Sequence, residues 1–408
     1  MKENTTDISR RSFIKSAGTA TLGAALAPLA GLDTAGAATP AHAAEITGVS
    51  TRPFGRSGIQ VPILSLGGMF DIPSNQSLLK QAIRWGATYW DTAHVYSGGR
   101  SEEGIGQYFK RYPDQRDKIF LVTKSTSRSR RGMSKDLATS LKRMNTSYAD
   151  LYFLHGIRTI RELDDETRTW AEKAKAEKKI RFFGFSTHSN MEKCLSAASK
   201  LDWIDGIMMT YNYRLMHTDK MKAAVDACVK AGIGLTAMKT QGGGAVKTST
   251  ETELKLAGRF LEKGFTDKQA KLRAVWENPQ VVSICSQMPN MTILMSNVAA
   301  ALDKTKLSSA DMNLLRQYAS ETASDYCAGC SQICESAIDG AIPVSDVMRC
   351  LMYARDYGEP DRARQVFRDI PREVREQIST LDYAKAEQRC PQKMAIGELM
   401  RAAVSELA

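Results

Sequence analysis

The sequence predicts an α/β protein, a (β/α)8 TIM barrel with a small C-terminal α-helical domain, and three observations support this. Between Thr51 and about Lys304, eight short apolar runs alternate with amphipathic helical stretches, the pattern of repeated strand-helix units and a parallel sheet. Beyond Leu307 the strand signals stop, and helical stretches with interspersed cysteines take over. The length, 408 residues, exceeds one ordinary domain and accommodates both parts.

Ahead of the first run, RPFGRSGIQVP places a glycine-bearing turn between two extended pieces and reads as a hairpin closing the barrel floor. The eight runs are ILSLG (63–67), TYWD (88–91), IFLVTK (119–124), LYFL (151–154), FFGFS (182–186), IMMT (207–210), GLTAM (234–238) and VVSIC (281–285). Eight parallel strands close on themselves and leave no exposed edge. After the seventh run, the segment from Gly242 to Lys263 starts glycine-rich and becomes helical, as expected of a loop over the mouth. The barrel is assigned to 50–305 and the helical unit to 306–408.

The first 44 residues read as a twin-arginine signal peptide. Arg10 and Arg11, followed by Ser12, Phe13, Ile14 and Lys15, precede a small-residue apolar stretch, and Ala41, His42 and Ala43 form an A-x-A cleavage site. The stretch from Ala17 to Ala30 is too short for a stable membrane span. The expectation is a protein delivered by the twin-arginine export machinery to the periplasm or beyond. The signal holds only one of the eleven net positive charges, so the remainder stays basic. No aromatic stacking platform or nucleic-acid motif accompanies that charge, so nucleic acid is not an expected partner. The arginines of KSTSRSRRGMSKD, Arg128, Arg130 and Arg131, read as a solvated loop beside the mouth, or as a steering patch for an acidic substrate or redox partner.

Four polar residues stand where a barrel places its chemistry, at or just past the ends of apolar runs: Asp91 and Tyr96 in GATYWDTAHVYSGGRSEEGIG, Lys124 closing IFLVTK, and His155 closing DLYFLH. Reducing a carbonyl takes a hydride to carbon and a proton to oxygen. Tyr96 is a candidate acid, Lys124 a cation that lowers its pKa, Asp91 the anion that keeps the lysine charged, and His155 the imidazole that orients the carbonyl.

These motifs, with LGG after the first run, VTK, DLYFLHG and KKIRFFGFSTH, resemble the aldo-keto reductases over roughly residues 50–300. The resemblance implies the barrel, the tetrad roles and an extended nicotinamide dinucleotide, NAD(P)H, across the strand ends without a Rossmann fingerprint. On it, Ser186 and His188 approach the nicotinamide carboxamide, Tyr211 follows the sixth strand, and Met238 and Lys239 take the place of an aromatic platform. After the eighth strand, Ser286, Asn290 and Asn297 stand in SQMPNMTILMSNV, where relatives that use NADP place Lys or Arg. That absence of a cation leaves three options: NAD(H), a cation from elsewhere, or weakened dinucleotide binding.

Eight cysteines divide into two groups. Cys194, Cys228 and Cys285 fall singly in barrel elements and read as small apolar core residues. Cys327, Cys330 and Cys334 are spaced C-x2-C-x3-C, and Cys390 precedes Pro391; together they are the four ligands of one [4Fe-4S] cluster in a ferredoxin pattern whose other ligand set is lost. The region, with IPVSDVMRCLMYARDYG, resembles the ferredoxin-like iron-sulfur extension of one branch of the aldo-keto reductases. The rivals are free thiols or a disulfide at a decayed site, and Cys350 in place of Cys390 as fourth ligand. Scarce histidine argues against zinc.

The expected function is an exported oxidoreductase acting on a small carbonyl or alcohol substrate. The alternative is an electron-transfer or interaction protein that keeps the barrel as an inactive scaffold and docks a redox partner through the helical domain.

Overall fold

The computed structural model describes residues 48–408. The proposed signal peptide, 1–44, therefore lies outside the described residues. Among the described residues no helix is long and apolar enough to cross a membrane.

A hairpin of β1 (Thr51–Pro53) and β2 (Gln60–Pro62) opens the described chain. Eight parallel strands follow: β3 (Leu64–Gly67), β4 (Tyr89–Asp91), β5 (Phe120–Ser125), β6 (Ala149–Leu154), β7 (Ile180–Thr187), β8 (Gly206–Thr210), β9 (Gly234–Met238) and β10 (Ser283–Gln287). They close in the order β10-β3-β4-β5-β6-β7-β8-β9. All eight expected runs are strands, with ends displaced by no more than two residues.

Alternation along the strands separates two cores, because successive side chains point to opposite faces. Tyr89, Phe120, Val122, Leu151, Phe153, Met208 and Met238 fill the interior, whereas Trp90, Leu121, Tyr152, Phe183 and Ile207 pack outward beneath the helices. Phe54 enters the interior from the hairpin, its ring centroid 5.3 Å from that of Phe120 and 6.4 Å from that of Phe182. A methyl group built on Gly206 or Gly234 would stand 2.6 Å from the Phe54 ring, so those strands are bare where the plug seats. The hairpin closes the floor.

The division between barrel and helical unit falls later than residue 305. The helix Ser309–Glu321 belongs to the barrel layer: Leu315 and Tyr318 are buried in the barrel's outer core, and Asp311 binds Arg259 and Lys263 of the mouth-loop helix. The second core gathers only from Cys334 onward, around Val347, Leu351, Phe367, Ile378, Ile396 and Met400. Each such large apolar side chain contributes about 1.5–3 kcal/mol on burial, enough for a small domain with its own core.

The helical domain sits on the barrel mouth. Arg158, after β6, pairs with Glu335 and with Asp346 at 2.8 Å. Asn190, after β7, donates to Ser331 Oγ at 2.9 Å, and Asn212, after β8, donates to Tyr326 OH at 2.9 Å. Lys239, after β9, donates to Tyr353 OH at 2.8 Å, and Arg362 reaches Gln287 of β10 at 3.2 Å. Five consecutive strand ends are thus covered by one small domain.

Candidate active site

Asp91 ends β4, Lys124 lies near the end of β5, and His155 follows β6, all at inward positions of three neighbouring strands. Tyr96 arrives by a different device. After β4 the backbone takes left-handed φ at Ser97 (51°), Gly98 (64°) and Gly99 (99°). That reversal starts the helix Arg100–Arg111 beneath it, and a methyl group at Gly99 would stand 2.3 Å from Arg143 Cζ. Ser101 and Glu102 secure the turn: Ser101 Oγ donates to Gly68 O at 2.6 Å, and Glu102 accepts from Thr123 at 2.6 Å and from Arg143 at 3.2 Å.

The four side chains converge. Lys124 Nζ donates to Asp91 Oδ2 at 2.7 Å, to Thr92 O at 2.8 Å and to Tyr96 OH at 3.2 Å. The rings of Tyr96 and His155 meet edge to face at 5.6 Å. Burial alone would lower the Lys124 pKa, but Asp91, with smaller help from Tyr96 and Cys285, outweighs it, so the ammonium stays charged. Tyr96 does not follow the expectation of a lowered phenol: burial outweighs Lys124 and pushes it up to about 12. His155 is driven well below its ordinary value by burial and by Lys124, and is therefore a neutral imidazole.

Sequence reasoning missed a fifth member. Cys285 of β10, taken for core filler, points inward and is an electrostatic neighbour of Asp91, Lys124 and Tyr96. Its place on an alternating strand, two residues beyond Ser283, was the available signal. Two polar atoms of the centre, Asp91 Oδ1 and His155 Nδ1, are buried without a hydrogen-bond partner.

The residues assigned to the cofactor are scattered over different settings. Ser186 is buried and its Oγ accepts from Gly156 N–H at 2.9 Å, while His188 Nδ1 meets Thr210 Oγ1 at 3.1 Å at the mouth. Met238 faces the barrel interior. Tyr211 turns into the outer core, where its hydroxyl accepts from Asn278 at 2.8 Å, so it is not presented to the mouth. Ser286 and Asn297 bond each other at 3.0 Å, and Asn290 caps the helix Met291–Leu302. No lysine or arginine joins these three in sequence, but Arg362 of the helical domain reaches the adjacent Gln287 and is itself paired with Glu359.

Cys327, Cys330, Cys334 and Cys390 line one small cavity with Val344, Met348, Met394 and Ile396. Burial raises the pKa of Cys327, and each of the other three thiols adds to the rise. Cys350 is instead fully buried in the second core and does not line that cavity. All eight cysteines are free thiols. Among the described residues no three His, Cys, Asp or Glu side chains stand as a site for a single metal ion.

The chain is similar to known proteins over part of its length. It is 25% identical over 237 residues to the aldo-keto reductase AMT2 of Alternaria alternata, covering 45% of this chain and 62% of that protein. It is 34% identical over 151 residues to the uncharacterized oxidoreductase YqkF of Bacillus subtilis, covering 33% of this chain and 48% of that one. The chain thus spans less than two thirds of the length of these relatives. Among solved structures, the thermostable aldo-keto reductase Tm1743 aligns with a TM-score of 0.55 at 28% identity, over 65% of this chain and 98% of that one. The holo form of the aldo-keto reductase AKR11C1 from Bacillus halodurans, 23% identical with a TM-score of 0.56, shares the fold over 66% of this chain and 96% of that one. The model of the aldo/keto reductase family matches residues 64–316 and stops before the first cysteine of the helical domain. With that match across the barrel and past its last strand, the chain belongs to the aldo/keto reductase family.

Proposed function

We propose that this protein reduces an aldehyde or ketone, or oxidises the corresponding alcohol, using a nicotinamide cofactor. The observation that carries the reading is the Lys124 ammonium, held at 2.7 Å by Asp91 and at 3.2 Å from the Tyr96 hydroxyl. Tyr96 delivers a proton to the carbonyl oxygen; Lys124 stabilises the tyrosinate that remains; Asp91 keeps the lysine charged; neutral His155 holds the oxygen in line.

The residues at the nicotinamide end fit such a group. His155 Nδ1 is buried and unpartnered, and Ser186 and His188 stand on the neighbouring strand end. When bound, the dinucleotide supplies the hydride. At the adenosine end, Ser286, Asn290 and Asn297 form polar contacts without a cation of their own, which favours NAD(H) over a 2′-phosphate.

The test is oxidation of NADH and NADPH against a panel of carbonyls by the wild type and Tyr96→Phe. Turnover lost with the phenol supports the reading; a wild-type trace flat with both nucleotides rejects it and leaves the scaffold alternative.

The helical domain is proposed to hold one [4Fe-4S] cluster on Cys327, Cys330, Cys334 and Cys390, the four thiols of a single cavity. A cluster interposes its own atoms between its ligands, so the thiols need not crowd as around a single ion. Bound, it would supply one-electron transfer or a structural clamp. Anaerobically prepared protein should be brown, with iron and sulfide near four per chain; colourless, iron-free material ends the idea. Export through the twin-arginine route is proposed on the Arg10-Arg11 motif, and fractionation of cells carrying R10K/R11K tests it.

A further inference from the structure

A cavity of about 230 Å³ lies between barrel and helical domain, and its two ends differ in chemistry. The outer end carries Lys247, Asp325 and Arg355, all exposed, so charges of both signs meet solvent there. The inner end is formed by His188, Thr210 and Lys239 from the barrel and by Arg349 and Met348 from the helix Val344–Arg355.

Its cations are held in place but not fully neutralised. Arg349 gives one edge of its guanidinium to Asp346 at 2.7 Å, and that same carboxylate also accepts from Arg158 at 2.8 Å. Lys239 has no carboxylate partner among the described residues; its ammonium rests on the Tyr353 hydroxyl and 4.2 Å from that ring's centroid. Its backbone is in the left-handed region, φ 57°, a conformation costly for a lysine, with its carbonyl tied by Asn212 Nδ2 at 3.1 Å. Lys239 is half-buried, and backbone strain at a residue whose ammonium lines a cavity without a carboxylate partner is of the kind that clusters at ligand sites. Arg349 lines the cavity together with His188, and its charge adds to burial in depressing the His188 and His155 imidazoles.

We infer that Arg349 and Lys239 form an oxyanion subsite that binds the carboxylate of a small carbonyl substrate, making the preferred substrates oxo acids or carboxylate-bearing aldehydes. The inference rests on the reductase reading and extends it from reaction type to substrate class. The free edge of a guanidinium matches a carboxylate bidentately, and Lys239 adds a point charge from the facing domain. The volume suits a small molecule such as a compact oxo acid or a carboxylated aromatic aldehyde; a dinucleotide phosphate is the other source of the same chemistry, and the experiment separates the two.

The full chain is assayed with 4-carboxybenzaldehyde and with its methyl ester, which share a carbonyl and differ in the anion. The wild type should favour the acid in kcat/KM by roughly 10–100-fold, the range of a charged hydrogen bond. Arg349→Gln should collapse that ratio mainly through KM, and Arg349→Lys should restore part of it. A wild-type ratio near one, or a ratio that Arg349→Gln leaves unchanged, overturns the subsite. Weaker NADH or NADPH binding in Arg349→Gln with the acid-to-ester ratio intact assigns the cations to the dinucleotide and overturns it as well. If no carbonyl is turned over, the reductase reading fails by itself. Calorimetric binding of terephthalate then decides the subsite: saturable binding lost in Arg349→Gln supports it, and no binding to the wild type rejects it.

Discussion

The barrel mouth contains two phenol–ammonium pairs of similar geometry and opposite character. Tyr96 and Lys124 stand 3.2 Å apart inside the barrel, and Tyr353 and Lys239 stand 2.8 Å apart across the domain junction. Burial pushes the first phenol up to about 12. The second is also buried, yet Lys239, Arg362 and Arg349 together bring it down to about 8, with the Arg362 guanidinium 3.8 Å from the ring centroid. The difference is the carboxylate. Tyr96 has burial and the Asp91 carboxylate set against a single cation, Lys124, whereas Tyr353 faces three cations, of which Lys239 has no carboxylate partner among the described residues and is lowered by burial to about 8. A lysine beside a tyrosine therefore does not by itself make an acid; the number of cations gathered around the phenol, set against its burial and the nearby carboxylates, does.

The largest break in this comparison is Lys124→Met. It should lower carbonyl reduction by roughly 10²–10⁴-fold and, by leaving Asp91 buried and unpaired, destabilise the fold by about 3–5 kcal/mol. Thermal melting and steady-state assays report the two effects separately. Adding Asp91→Asn should recover much of the stability and none of the activity; recovery of both would remove the tetrad from the mechanism.

Lys239→Met sharpens the other side. One tyrosine should titrate near 8 in the wild type, seen as tyrosinate absorbance, and the substitution should move that step upward by roughly 1–3 units. An unmoved step would mean that Arg349 and Arg362 suffice. The pH profile of reduction tests the first pair directly: with Tyr96 protonated at every pH below about 12, the rate should be flat on the phenol's account through neutral pH and decline only in strong alkali. A fall centred near 8 would instead implicate Lys239 and Tyr353, which face each other together with Arg349 and Arg362. The smallest effect belongs to Arg158→Ala, which removes a half-exposed tie between the domains; about 1 kcal/mol of docking should be lost, read as faster proteolysis after Gly329.

The barrel was legible because strand-helix alternation is a local property, and Asp91, Lys124 and His155 were legible because strand ends in a barrel converge. Tyr353, Arg349 and Arg362 were not, since they lie on helices more than 100 residues past β9 and nothing in their own spacing says which surface they face. Tyr211 failed for a related reason: a position just past a strand end does not say whether the side chain turns into the mouth or into the outer core. Cys285 was misjudged on composition when its phase on β10 carried the information. The boundary near 305 missed because Ser309–Glu321 is a helix like those after it, and only packing assigns it to the barrel.

With Phe54 sealing one end, the cylinder has a single doorway, and the helical domain stands in it. The strands that carry Asp91 and Lys124, β4 and β5, are not among the five that domain grips, so the width of the opening left beside Lys124 belongs to how tightly the other five ends are held rather than to the tetrad itself.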